Sequence, residues 1–219
     1  FPNETFGEMM DSFNFASELK WDWAQYNICQ PLKGTDMFSV FQELGDDRCF
    51  DETFSKSLNP ARSSQRGEFE RNQDREETGI KSGMDVFNLP YDLVPNSEQL
   101  REIWLAFNLV TNFLNNLNFG PGGNPTKLVR WLEAIHSGYA YDAAMSAALV
   151  RGHKLLGNQE RMTFYQNKFE SILGESAYWR QRVVEFPGLI ELAEVSGQVG
   201  DFSDSHGSVP GREYPKDAL

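Results

Sequence analysis

Residues 97–135 read SEQLREIWLAFNLVTNFLNNLNFGPGGNPTKLVRWLEAI. Leu100, Ile103, Trp104, Phe107, Val110, Thr111, Leu114 and Leu117 recur at three- and four-residue intervals, the period of one face of an α-helix. Leu105, Leu109 and Phe113 fall off that stripe, so this helix, capped at Ser97 and expected to run to about Leu117, needs neighbours on more than one side. Gly120-Pro121-Gly122-Gly123 breaks it. Asn124 then caps a second helix with Pro125 at its first position, where the missing N–H costs nothing. Leu128, Val129, Leu132 and Ile135 form its apolar face, and it is expected to end near Gly138.

The same signals continue toward the C-terminus. Asp142 opens a helix to Leu156, and its Ala143, Ala144, Ala147 and Ala148 are small enough to let another backbone approach closely. Gly157 stops it, and Asn158 caps a helix with Met162, Tyr165, Phe169, Ile172 and Leu173 inward and a stop at Gly174. Shorter helices are expected over 176–186, ended by Pro187, and over 189–195. Short links between helices imply antiparallel neighbours. The expected fold is therefore all-α: an antiparallel helical bundle or array with its core at 97–195, an extended polar arm, and an irregular tail at 196–219 rich in Gly, Ser, Asp and Pro.

Toward the N-terminus the signal weakens. Residues 84–97 hold two prolines among hydrophobics and read as an extended connector on a surface. From Asn59 to Gly83 the only large apolar residues are Phe69 and Ile80, too few to offset the entropy of ordering, so 59–96 reads as a polar arm and connector. Asp36 is a fair cap for a short helix over 36–44, stopped by Gly45. Phe6, Met9, Phe13, Ala16, Leu19, Trp23 and Ala24 lie on one face of a helix expected over 5–28, with a capping box at Thr5 and Glu8 and a stop at Pro31. Residues 1–58 are thus read as an acidic N-terminal helical segment.

The chain of 219 residues carries a net charge of −12, and residues 1–61 hold eleven acidic against four basic side chains. With no basic stripe to meet backbone phosphates, direct nucleic-acid binding is not expected, nor is binding to an anionic membrane surface. No window approaches the ~20 apolar residues of a membrane span. The chain opens on Phe1 rather than Met, which a removed leader and a fragment boundary explain equally, so compartment stays open. Cys29 and Cys49 are the two cysteines and a candidate disulfide; two free thiols fit as well. The aromatic share of 13% points to an aromatic-rich core.

Motifs for chemistry are sparse. Glu133-Ala134-Ile135-His136 places a carboxylate and an imidazole on one helix face, the spacing of carboxylate-bridged di-iron bundles, but no second pair exists. Glu133 and His136 stand as weak metal-ligand candidates against a background of an ordinary helix end. The glycines of Gly120 to Lys127 precede a helix N-terminus, yet P-loop spacing is absent and an inter-helix turn explains them. No catalytic residue is nominated and no cofactor is expected. Arg151, Lys154, Arg161, Lys168, Arg180 and Arg182 are the one basic concentration, and the acidic N-terminal segment of the same or a neighbouring chain is their expected counterpart.

The leading expectation is a non-enzymatic structural or assembly subunit, an adaptor or accessory part of a larger protein complex, whose arm and tail contact neighbouring subunits. Virion connectors and accessory subunits share this build, an analogy of architecture alone. The alternative is a helical small-molecule or metal-cofactor binding domain, an enzyme among its forms. It would use an aromatic pocket near His136 built from Trp104, Phe107, Trp131, Tyr139 and Tyr141. A third reading is a secreted or lumenal interaction domain with a Cys29–Cys49 bridge.

Overall fold

The computed structural model describes residues 1–45, apart from Lys20, Gln30 and Leu32, together with residues 83–195. The expected polar arm over 59–82, the tail 196–219 and Cys49 lie outside the described residues. The fold is all-α. Its helices are α1 (Phe6–Glu18), α2 (Asp36–Glu43), α3 (Ser97–Leu109), α4 (Pro125–Ile135), α5 (Ala143–Leu155), α6 (Gln159–Glu175), α7 (Ala177–Glu185) and α8 (Gly188–Ala193).

The centre of the molecule is α5. Every residue from Ala143 to Val150 is buried, which requires neighbours all round, and α4, α6 and α8 supply them. Small side chains make this possible. At Gly152 an added Cβ would stand 2.3 Å from Val129 Cγ2, so glycine is what lets α4 lie this close. Gly157, at φ +68°, takes the left-handed stop that its position predicts, and α6 turns back along α5.

Caps account for most boundaries. Asn124, Asp142 and Asn158 each accept a backbone N–H of the first turn of α4, α5 and α6. Two boundaries differ by one residue from expectation. Asn96, not Ser97, caps α3, forming a capping box with Gln99, and Thr35, not Asp36, caps α2. Gly174 does not end α6. The helix reaches Glu175, and Ser176 closes it while capping α7.

Three larger differences concern how the parts meet. First, α3 keeps regular α geometry only to Leu109; a π turn over Val110–Leu114 follows, closed by Asn115 N–H donating to Val110 O at 2.8 Å. Second, α1 has the expected capping box at Thr5 and Glu8 but ends at Glu18 instead of reaching residue 28. Third, residues 83–95, expected as an extended connector on a surface, are exposed over much of 88–94 but not extended throughout. They form a 3-10 turn over Gly83–Asn88 whose Val86 is wholly buried. They also catch the start of α1, since Phe6 and Gly7 N–H donate to the carbonyls of Leu93 and Tyr91 at 2.7 and 2.9 Å. Phe6, Met10 and Phe13 of α1 join Val86, Phe107 and the α5 alanines in one buried cluster. The core thus extends beyond 97–195 and takes in the N-terminal segment. No helix among the described residues is long and apolar enough to cross a membrane.

Candidate functional site

The main chain that leaves α1 runs along α3, and side chains of α3 take the place of a partner strand. Asn108 in α3, Asn112 in the π turn and Asn116 just beyond it stand four residues apart and all reach the same stretch of main chain. Asn112 meets Ala24 twice: Ala24 N–H donates to Oδ1 at 2.9 Å, and Nδ2 donates to Ala24 O at 2.6 Å. That is the paired donor and acceptor a neighbouring β-strand would offer. Asn116 Nδ2 donates to Asp22 O at 3.0 Å. Tyr26 O receives Trp104 Nε1 at 2.9 Å and Asn108 Nδ2 at 3.3 Å.

Residues 22, 24 and 26 meet Asn116, Asn112 and Asn108 in turn, so this chain runs opposite to α3 and the π turn that follows it. The π turn lies where this ladder passes through Asn112. There Asn108 Nδ2 also donates to Trp104 O at 2.8 Å and Asn116 Nδ2 to Asn112 O at 2.9 Å, bonds that compete with the helix's own. Turns of this kind inside helices often mark functional positions.

Side chains between these bonds fix the segment. Trp23 packs edge-on against Phe113 with ring centroids 5.4 Å apart. Tyr26 lies against Phe13 and Phe107 at 6.2 and 5.4 Å, and its hydroxyl is 3.1 Å from Thr111 Oγ1. Ile28 packs beside Leu100, Met9 and Trp104. Asp22 bonds to Lys127 at the start of α4, and Asn118 Nδ2 donates to Asp22 Oδ1 at 3.3 Å. Lys127, then Asn118, hold the Asp22 carboxyl below its ordinary range.

Asn112 is 1% exposed and Ala24 is half-buried, so replacing Asn112 leaves two partly shielded main-chain groups of Ala24 without their partner. Asn112→Ala is expected to cost about 1–3 kcal/mol, read as a lowered urea midpoint. A change below a few tenths of a kcal/mol would show that the bonds to Ala24 contribute little.

Sequence reasoning missed this site. The four-residue repeat of asparagine on an otherwise apolar helix was its signal. Trp104 and Phe107, expected in an aromatic pocket, instead face this segment; Trp131 and Tyr141 are 49% and 55% exposed.

Glu133 and His136 belong to a second polar cluster. Glu133 Oε1 accepts Arg161 Nη2 at 2.6 Å and His153 Nε2 at 3.2 Å, and no bond among the described residues joins it to His136. Arg161 Nη2 also donates to Tyr165 Oη at 2.9 Å. Tyr165 stacks on His153 at 5.5 Å and meets His136 edge-on at 5.4 Å. Among the described residues no three His, Cys, Asp or Glu side chains are grouped to hold a metal ion. Burial opposes the Glu133 charge, but Arg161 and His153 outweigh it and keep its pKa low.

His136 Nε2 and His153 Nδ1 are buried without a hydrogen-bond partner. Burial is the first cause that lowers both histidine pKa values. Lys168 and Arg161 add to it at His136 and Arg161 at His153, while Glu133 opposes. The folded state therefore binds fewer protons than the unfolded one. Stability from this pair is present above the unfolded value near 6.5 and is lost as pH falls through the lowered folded values. Asp142 acts oppositely: burial pushes it up to about 6, so its protonation relieves the fold as pH falls toward 4. In the wild type, urea midpoints are expected to drop between pH 7.5 and 5.5. In His136→Gln/His153→Gln the drop should vanish or reverse, because Asp142 then dominates. An unaltered drop would assign the acid sensitivity elsewhere.

Among the described residues, the ion-pair partners of the basic residues expected to face the acidic N-terminal segment lie outside residues 1–45. Arg151 and Lys154 pair with Glu194, Arg161 with Glu133, and Arg182 with Glu102 and Glu185. Arg180 caps α6 by donating to the carbonyls of Leu173 and Gly174. Each ion-pair partner lies within residues 97–195. Cys29 is a free thiol 3.2 Å from Met37 Sδ. Comparison with known proteins finds no matching family model, no matching curated protein and no matching solved structure.

Proposed function

We propose that the chain is a non-enzymatic structural or assembly subunit, an adaptor or accessory part of a larger protein complex, that works by holding extended chain against α3. The observation that carries this is the paired hydrogen bonding of Asn112 to both main-chain groups of Ala24. A helix that reads main chain at two-residue steps is a device for docking segments, as sheet edges are in strand addition.

A second feature fits the same reading. Phe15, Leu19 and Trp21 are 62%, 45% and 55% exposed, and Phe15 and Leu19 lie four residues apart at the end of α1. Large apolar side chains left in water beside a docked segment suit a contact with another protein. Light scattering of the full chain is expected to show a mass above that of one chain, rising with concentration. Asn112→Ala/Asn116→Ala should weaken this association while far-UV circular dichroism keeps its helical signal. A chain that stays at single-chain mass at every concentration, or a variant that associates as tightly as the wild type, argues against the proposal.

A further inference from the structure

We propose that the outward face of α1 docks a basic amphipathic segment of another protein. This rests on the assembly reading above and names the chemistry of the neighbour. One side of α1 is buried through Phe6, Met10 and Phe13. On the opposite side Glu8, Asp11, Ser12, Phe15, Glu18 and Leu19 recur at three- and four-residue steps, and all six are exposed. Trp21, also exposed, follows just past the end of the helix. The face is thus an apolar stripe edged with carboxylates.

Two of those carboxylates lack a counterion. Asp11 stands four residues before Phe15 and Glu18 three after it, about one turn away on each side. Among the described residues neither side chain forms an ion pair or a hydrogen bond. Glu8 and Asp22, by contrast, are engaged by Thr5 and Lys127. Glu18 is also the last residue of α1, where the helix's own partial charge is negative, and no basic residue stands in that last turn. A cation placed there relieves both. A local rule broken without a compensating contact inside the chain is what a contact surface leaves behind.

Charge selects the occupant. Residues 1–45 carry seven acidic and two basic side chains. The same face of a second copy would set carboxylate against carboxylate, and a nucleic acid or an anionic membrane would be repelled. The rest of the chain is no source of net positive charge: 46–82 holds nine acidic and seven basic side chains, and 196–219 four and two. The run without acids, residues 53–67, has Lys56, Arg62 and Arg66, but Pro60 interrupts its helical spacing. The thirteen residues of α1 span about 20 Å. A partner helix with a bulky apolar stripe, and with basic residues seven positions apart to match Asp11 and Glu18, fits that length and charge.

The probe is a synthetic helical peptide of about twenty residues, with a leucine stripe flanked by lysines at seven-residue spacing. A second peptide carries glutamate at each lysine position. Both are labelled and titrated against the full chain by fluorescence anisotropy. The lysine peptide is expected to bind the wild type, less tightly as salt rises, and about tenfold less tightly to Asp11→Lys/Glu18→Lys. The glutamate peptide should show the reverse order. Phe15→Ser, at an exposed position, should weaken binding of the lysine peptide while far-UV circular dichroism stays unchanged. Equal affinity of the lysine peptide for the wild type and the charge-reversed chain, or no binding at millimolar peptide, overturns the proposal. Binding that appears only in Lys56→Ser/Arg62→Ser/Arg66→Ser gives the face to the chain's own connector and overturns it too. Light scattering of the same samples reads the assembly separately: a chain that associates yet refuses the peptide removes this proposal alone.

Discussion

Arg182→Ala is expected to lose about 3–5 kcal/mol of folding stability, enough to leave a domain of ordinary stability largely unfolded at elevated temperature. Arg182 is 1% exposed. Its Nη1 and Nη2 bond to the two oxygens of Glu102 at 2.6 and 2.7 Å, and Nη1 also bonds to Glu185 Oε2 at 2.7 Å. The Tyr178 ring lies 5.1 Å from the guanidinium carbon. Burial alone would discourage this charge. Tyr178, Glu102 and Glu185 outweigh it and keep the guanidinium ionised. Removing the arginine leaves two carboxylates buried side by side, which is worse than never having had the set. Replacing Arg182, Glu102 and Glu185 together by Met, Leu and Leu should recover much of the loss. A single variant within 1 kcal/mol of the wild type in urea unfolding would mean that the pair is wetter than its geometry implies.

Phe13→Ala is expected to cost a similar amount, about 3–5 kcal/mol. Phe13 is wholly buried and touches Tyr26, Phe87 and Phe107, with ring centroids 6.2, 5.4 and 4.6 Å apart. It is the residue through which α1, the ladder-bound segment, the turn at 83–88 and α3 meet. Its loss leaves a cavity and also frees the side chain that holds Tyr26 in place. The damage should be uneven. Residues 1–45 should become accessible to limited proteolysis well below the temperature at which α4 to α6 unfold. Simultaneous loss of both regions would show that the N-terminal segment is part of one cooperative unit with α5.

The C-terminal fold was legible because its signals are local. Asn124 with Pro125, Asp142, Asn158 and Gly157 each act within one turn of chain, and periodicity agrees with them. The end of α1 was not legible. Leu19, Trp23 and Ala24 continue a helical stripe, and nothing nearby contradicts it. Past the end of the helix, Asn112 and Asn116, 88 and 94 residues away from Ala24 and Asp22, give these main-chain groups partners that no local signal announces. Tertiary context overrides propensity in this way wherever the alternative bonds are well formed.

The buried ion set was hidden for the same reason. Glu102 and Arg182 are eighty residues apart, and Arg182 reads as part of a surface basic group until its partner is seen. The asparagine repeat at 108, 112 and 116 was visible in the sequence, and asparagine on an apolar helix face demands a partner. The sequence could not say that the partner is main chain rather than side chain or water. Glu133 and His136 show the opposite case, in which correct spacing led to a cluster of different membership, with His153 and Arg161 bound to the carboxylate instead.

The account rests on main chain held by the α3 ladder, and hydrogen exchange at the Ala24 amide reads it directly. That N–H donates to Asn112 Oδ1 and, among the described residues, to none of its own segment. In the wild type the Ala24 amide should exchange far more slowly than its exposed neighbours Gln25 and Asn27. In Asn112→Ala it should exchange as fast as they do while the amides of α5 remain protected. An Ala24 amide that exchanges at the rate of free peptide in the wild-type protein would contradict the ladder.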